Sequence, residues 1–323
     1  LKRTPAAAAG VLFLGSFCEH NNIDKESGVK SRGAYYRYLN RVGWYYVAPA
    51  VLLYCLFMLY PIGSSLYLVT QKWRGFHHEF VGLANFARLA QDKIFWEALG
   101  HNFLFIFVQV PIMVFLAMII AVILNKGIKR FRGAFRVFYF LPCVTSLVAY
   151  SVLFRILLQT NGLLNNLMLG LEILNKPIGW LNDPFWAKVT IIIALTWRWT
   201  GYNTVFFLVG LQNIEGTIFE AAEVDGANRI TQFFRITLPL LVPVILFSAV
   251  TSTIGTMQLF DEPNILTWEG GPSNATMTVA LYIYRQAFVT NSDFGYASAL
   301  SYVMVLIAGA LAFIQIRVLG GKS

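Results

Sequence analysis

The chain has 323 residues, 57% of them hydrophobic and 13% charged, against roughly 25% charged in an ordinary soluble domain; a water-soluble globular body of this size is excluded. The net charge of +9 is gathered in particular loops, which reads as membrane orientation, and no RNA- or DNA-binding signature accompanies it. Cys18, Cys55 and Cys143 are odd in number and widely spaced, and the adjacent His77 and His78 beside Glu79 lack further ligands, so neither a disulfide framework nor a metal site is implied.

Residues 1–43 carry seven basic side chains: Lys2, Arg3, Lys25, Lys30, Arg32, Arg37 and Arg41. Within them, the apolar run 6–17 follows Lys2-Arg3 as a signal-peptide core would. No usual small-residue cleavage site follows it, and about a dozen residues are too few to span a bilayer. The segment reads as cytoplasmic or interfacial. Six apolar blocks follow, each near the roughly 20 residues a bilayer helix needs: 44–69, 102–124, 135–158, 189–211, 238–260 and 296–318. Pro111 and Pro142 fall inside the second and third, which membranes tolerate because neighbouring groups satisfy the freed carbonyls. The expected fold is an all-α membrane protein with six transmembrane helices. Its divisions are 1–43, a transmembrane domain over 44–318 and a tail at 319–323.

Lys and Arg counts orient these spans. The 1–43 segment, the loop after span two (Lys126, Lys129, Arg130, Arg132, Arg136), the loop between spans four and five (Arg229, Arg235) and the tail (Arg317, Lys322) hold sixteen, and the opposite loops hold eight. The richer side is cytoplasmic, so both termini and the 212–237 loop lie inside. The 261–295 loop faces out and is acidic, with Asp261, Glu262, Glu269 and Asp293 against Arg285. No internal repeat is visible, which counts against many secondary transporters. No GxxxxGK[ST] phosphate loop is present for the chain to bind ATP in that way.

The most informative stretch lies in the cytoplasmic loop, from Glu220 through Asp225, Gly226 and Ala227 to Pro239 and Pro243. It reads as helix, turn, helix. Glu220 to Glu223 suit a first helical turn, Asp225-Gly226 is a break, and Phe233, Ile236 and Leu238 offer an apolar face on return to the membrane. A proline near a helix start costs little. The stretch matches EAA-x2-DGA-x5-F-x2-I-x-LP-x-L-x-P at every fixed position, and so resembles the EAA loop of sugar-type ABC-importer permeases. Further matches are Phe80-Val-Gly-Leu-Ala-Asn-Phe86, Trp197-Arg-Trp-Thr-Gly201-Tyr-Asn203 with Gly210-Leu-Gln-Asn-Ile214, and Leu266-Thr-Trp-Glu-Gly270-Gly-Pro272, the last with one extra residue. The proline usual after the GLQ-x-I stretch is Glu215 here. The resemblance covers about 44–318.

That resemblance implies the type I importer permease fold and a coupling loop at 215–237. In it Glu220, Ala221, Ala222, Asp225, Gly226 and Ala227 dock in a cleft of an ATPase subunit. It implies a second permease subunit, two ATPase subunits that bind ATP and Mg, an extracytoplasmic substrate-binding protein contacted through Gly270, Gly271 and Pro272, and residence in the bacterial cytoplasmic membrane. The chain itself is no enzyme and binds no cofactor. The permeases it looks most like belong to the maltose and glycerol-phosphate group. The substrate implied is a carbohydrate, with an acidic, alginate-type oligosaccharide among the readings.

For the pathway, Ser248, Ser252, Gly255, Thr256 and Leu259 recur at three- and four-residue steps and share one helix face. Such a stripe can line a passage or seat a neighbouring helix. By resemblance Ser252, Thr256 and Leu259, with Trp199, Gly201, Tyr202 and Asn203 of span four, border the central cavity. Arg198 is an ionisable group at membrane depth and therefore a functional candidate, or a structural partner of the flanking tryptophans; it is compatible with an acidic substrate. The alternative function is an ion-coupled secondary transporter or channel, which would need intramembrane acids that the spans hardly contain.

Overall fold

The computed structural model describes residues 28–74, 77–126, 137, 141–290 and 292–320. The run at 6–17 and most of the basic loop at 127–136 with its flank to 140 therefore lie outside the described residues. The chain forms two compact units, Leu1–Ser65 and Leu66–Ser323. In the first, helix α1 (Gly28–Tyr54) passes into a π-helical turn at Cys55–Leu59 and on into α2 (Tyr60–Val69), whose last residues belong to the second unit. Helix thus starts well before residue 44, and the apolar part of it runs over Tyr38–Val69.

The second unit opens with a short antiparallel hairpin, β1 (Gln71–Arg74) and β2 (His77–Phe80), in which Trp73 pairs with His78. His78 stacks on the Trp73 ring at 5.4 Å, an aromatic contact. The Phe80–Phe86 motif explains the hairpin's anchorage. Gly82 takes φ +58°, and buried Asn85 in α3 (Ala84–Ala90) donates to the Val69 and Gln71 carbonyls at 2.7 and 2.9 Å. These two bonds tie the end of α2 and the start of β1 to α3.

Two long helices make the frame. α4 (Lys93–Lys126, 34 residues) and α7 (Pro184–Gln212, 29 residues) pack against each other more extensively than any other pair. α7 starts cleanly because the Asp183 carboxylate accepts from the Phe185 and Trp186 amides at 2.9 and 3.0 Å, with Pro184 in the first turn. Between them come α5 (Leu147–Leu157) and α6 (Leu163–Gly170), and beyond them α8 (Gly216–Val224), α9 (Arg229–Gln232), a π-helical turn at Phe233–Thr237, α10 (Leu238–Leu240) and α11 (Val242–Met257). After a π-helical turn at Glu262–Leu266 come α12 (Val279–Tyr284) and α13 (Phe294–Gly320). Small residues Ala117 and Ala121 of α4 let Phe207, Leu208 and Leu211 of α7 approach, with Leu241 wedged beside them. A second cluster joins Phe95, Leu99 and Ile106 of α4 to Met257, Leu281, Tyr296 and Leu300.

Helix occurs in all six apolar blocks. Among the described residues, Tyr38–Val69, Lys93–Asn125 and Phe294–Val318 are long and apolar enough to cross a membrane singly. Arg229–Leu240 and Val242–Met257 are together a fourth, bent by 60°. The fifth span expected over 238–260 is thus broken beside Leu241, with Pro239 and Pro243, neither of which has an amide proton to donate, on the two sides of the break. The third span is also interrupted. Residues 141–144 are helical, Ser146 is extended (φ −55°, ψ 135°), and α5 resumes for 11 residues. The fourth is long enough but less apolar, since Lys188, Arg198 and several Thr and Asn side chains dilute it.

The end of the unit where α4 begins is fastened by polar ties. Arg88 pairs with Asp293 at 2.9 Å and lies 3.8 Å over the Tyr296 ring. Asp92 accepts from the Tyr282 and Tyr296 hydroxyls, both at 2.5 Å. Burial pushes the Asp92 carboxyl up, but these two hydroxyls and the Phe95 and Ile94 amides outweigh it and hold it below its ordinary value.

Candidate functional site

A cavity of about 190 Å³ opens where α4, α5, α7 and α11 converge. Its wall includes Gln109 and Met113 of α4, Leu147 of α5, Leu195, Trp199, Tyr202 and Asn203 of α7, and Thr251, Ser252, Gly255 and Thr256 of α11. The segment after α11, from Gln258 through Leu259, Phe260 and Asp261 to Glu262, completes it. Six of the seven residues expected there are thus brought together. Gly201 is the exception: it is buried within the helix packing, because two residues on from Trp199 the helix has turned roughly 200° away.

The α11 stripe divides in two. Ser252, Gly255, Thr256 and Leu259 face the cavity, whereas Ser248 is fully buried and donates to the Asn203 Oδ1 at 2.5 Å. Asn203 in turn donates to the Trp199 carbonyl at 3.0 Å and to the Met113 sulfur at 3.3 Å. Its amide therefore ties α7 to α11 and α4, and the residue borders the cavity with its polar atoms already engaged. Trp199 and Tyr202 meet edge to face at 5.8 Å and leave aromatic surface on the wall.

Arg198 points elsewhere. It is buried, its guanidinium lies 4.7 Å over the Tyr150 ring and 5.6 Å from the Trp199 ring, and Nη1 donates to the Thr145 carbonyl at 3.4 Å. It is a structural cation–aromatic pair. The Tyr150 hydroxyl donates to Glu262, a buried carboxylate. Asp261 and Glu262, read from the sequence only as acidic residues of the 261–295 loop, stand on the wall, as do Gln109, Met113, Thr251 and Gln258, which sequence reasoning did not single out. The signal for Asp261 and Glu262 was an ionisable pair directly after an apolar span.

At the other end of α4 and α7 stands α8. It has no buried residue; Glu220, Ala221, Asp225 and Gly226 are exposed, Ala222 and Ala227 half-buried. The helix starts at Gly216 after Glu215, which gives no side-chain cap. Glu220 therefore sits beyond the first turn, not in it as expected. The Asp-Gly-Ala triplet closes the helix in a Schellman arrangement. Gly226 takes φ +79°, its amide donates to the Glu223 carbonyl at 3.0 Å, and the Ala227 amide to the Ala222 carbonyl at 2.9 Å. Asn228 then starts α9 by accepting from the Thr231 amide. Under α8 lies a groove of about 880 Å³, lined by Asn125, Leu211, Phe219, Glu223, Arg229 and Phe233 among others.

The third candidate region is the 268–274 loop. Every residue in it except Pro272 has positive φ, from 53° at Ser273 to 102° at Gly270. A Cβ at Gly270 would lie 2.8 Å from the Met277 Cε, and one at Gly271 would lie 2.8 Å from the Thr276 Oγ1. The Gly270 amide donates to the Pro263 carbonyl at 2.9 Å and the Thr276 amide to the Gly270 carbonyl at 2.8 Å. Gly270 is buried, Gly271 and Pro272 are half-buried, and the surface is presented by Trp268, Glu269 and Ser273. The glycines shape this loop; their neighbours face outward. The Arg155 guanidinium lies 4.3 Å over the Trp268 ring.

A helical membrane chain with a broken span, a polar–aromatic cavity among its long helices and an exposed capped helix at their far end belongs to the class of membrane transport subunits. The family is definite. This chain belongs to the binding-protein-dependent transport system inner membrane component family, whose model matches residues 86–320. It is 51% identical to the lactose transport system permease protein LacF of Rhizobium radiobacter, over 88% of this chain and 96% of that one. It is 31% identical to the arabinooligosaccharides transport system permease protein AraP of Bacillus subtilis (strain 168), over 85% and 87%. In fold it matches a chain of a bacterial ABC transporter involved in the import of the acidic polysaccharide alginate. The TM-score there is 0.76 at 21% identity, covering 88% of this chain and 98% of that one.

Proposed function

We propose that this chain is the permease subunit of a carbohydrate importer driven by ATP hydrolysis in partner subunits. It pairs with a second permease, seats two ATPase subunits that bind ATP and Mg, and receives its sugar from an extracytoplasmic binding protein at the 268–274 loop. It resides in the bacterial cytoplasmic membrane with both termini inside. The observation that carries this reading is the exposed α8 with its Schellman-closed Asp225-Gly226-Ala227 end. A rigid helix without buried residues, at the far end of the two helices that wall the cavity, is built to be covered by another protein. From Gln109 on the cavity wall to Asn125 in the groove under α8, α4 rises by roughly 24 Å.

The sugar assignment is supported by the wall. Trp199 and Tyr202 supply aromatic faces, and Ser252, Thr256 and Gln109 supply hydroxyl and amide groups. The 190 Å³ in this chain is below the roughly 300–1,000 Å³ usual for small-molecule sites, which accords with a site completed by a second subunit. Relatives named for lactose and arabinooligosaccharides favour a short oligosaccharide. The test is Glu220→Lys, which reverses a charge on the exposed face of α8. Copurification of ATPase subunits and ATP-driven uptake of lactose in proteoliposomes should both fall at least tenfold. If both stay normal, the docking assignment is wrong; if uptake persists without ATP but collapses with an ion gradient, the chain belongs to an ion-coupled transporter.

A further inference from the structure

The charges around the cavity constrain what can occupy it. Among the described wall residues none is cationic. Arg198, the cation singled out from the sequence, is not on the wall: its guanidinium lies over the Tyr150 ring and near the Trp199 ring, and it is 7% exposed. Glu262 is on the wall, but it already accepts the Tyr150 hydroxyl. Asp261 differs from both. It is only half-buried, it lines the same cavity, and its carboxylate has no hydrogen-bond or ion-pair partner among the described residues.

A carboxylate only accepts hydrogen bonds, and its two oxygens can take a pair of donors side by side. Neighbouring hydroxyls on a pyranose ring present such a pair. The Trp199 and Tyr202 rings on the same wall suit the apolar face of that ring. A second carboxylate brought to about 5 Å would be repelled. At an effective dielectric constant near 20, that repulsion disfavours binding on the order of 100-fold.

We propose that Asp261 makes this cavity selective for uncharged saccharides, accepting hydrogen bonds from adjacent sugar hydroxyls and excluding uronates. This rests on the permease reading above. It also answers a question that the intramembrane arginine leaves open, since Arg198 is withdrawn from the wall and offers no site for an acidic sugar.

Saturation-transfer NMR on the purified complex in nanodiscs, without binding protein, tests the proposal with two probes, lactose and digalacturonate, at millimolar concentration. The wild type should bind lactose at least 100-fold more tightly than digalacturonate. Asp261→Asn should weaken lactose at least tenfold and narrow the discrimination to below tenfold. Asp261→Glu, which keeps the charge, should keep the discrimination, and recovery of both variants with their partner subunits in normal yield guards against misfolding. Equal binding of the two probes by the wild type, absence of binding by either, or unchanged affinities in Asp261→Asn would each overturn the proposal. ATP-driven uptake, measured separately, decides the permease reading and does not depend on this outcome.

Discussion

Gly226 offers a sharp test of how α8 is closed. Its φ of +79° lies in the left-handed region, and a Cβ added there would meet nothing within 4 Å. Substitution by alanine therefore introduces backbone strain and no clash. That strain is about 1–2 kcal/mol for a residue bearing a Cβ, enough to shift a local equilibrium by about 5–30-fold. The state disfavoured is the one in which the Gly226 and Ala227 amides satisfy the Glu223 and Ala222 carbonyls. Gly226→Ala should therefore weaken binding of the ATPase subunits by about 5–30-fold. Gly226→Asn, whose side chain tolerates the left-handed region, should lose less than about threefold. Titrating ATPase subunits onto the permease pair in nanodiscs measures both. Wild-type affinity in the alanine variant would refute the role of the closure. Equal loss in both variants would show that the partner needs a bare α-carbon there, and that the backbone angle is incidental.

Two further outcomes follow from packing and titration. A Cβ at Gly295 would sit 1.9 Å from the Gln71 carbonyl oxygen, a backbone atom that cannot turn aside, whereas one at Gly309 in the same helix meets nothing within 4 Å. Gly295→Ala should abolish recovery of folded protein while Gly309→Ala leaves the melting temperature in detergent within a few degrees. The Asp92 carboxyl is held below its ordinary value of 3.8 by the Tyr282 and Tyr296 hydroxyls against the opposing effect of burial. Its contribution to stability is therefore complete above the unfolded-state pKa and fades as pH falls through the lower folded-state value. Melting temperature should drop below about pH 4 in the wild type, and Asp92→Asn should lower the neutral-pH value and flatten that acid limb.

The fold was legible where apolar blocks were long enough to leave one reading, as at 102–124 and 296–318. Breaks inside spans were less so. Pro239 and Pro243 announced a disturbance, yet a proline near a helix start is usually harmless, and neither residue by itself specifies a turn of 60°. Ser146 carries no comparable signal at all. In the cavity, Trp199, Tyr202 and Asn203 share a face by helical period alone, and so do Ser252, Thr256 and Leu259. Asp261 and Glu262 follow the end of α11, where side-chain direction depends on the turn after Met257 and not on period. Gly201 was misplaced because a motif groups neighbours in sequence that a helix points in different directions. Gly270 was expected as a contact surface but is buried, since left-handed glycines in a motif mark the shape of a loop more often than its exposed face.

The break beside Leu241 makes α11 an arm with an elbow at one end. The arm, Val242–Met257, is 16 residues and therefore roughly 24 Å long. A rotation of about 10° at the elbow carries its far end through roughly 4 Å by the same geometry, more than the width of a hydrogen bond, and Thr256 on the cavity wall rides that end. The elbow rests on Gly210 of α7, where a Cβ would lie 2.9 Å from both the Leu241 Cδ2 and the Val244 Cγ2. Gly210 is thus the bearing surface of a lever. By that geometry a small rotation at the elbow reaches the cavity wall as a larger displacement, and the residue that sets the pivot does not itself line the cavity.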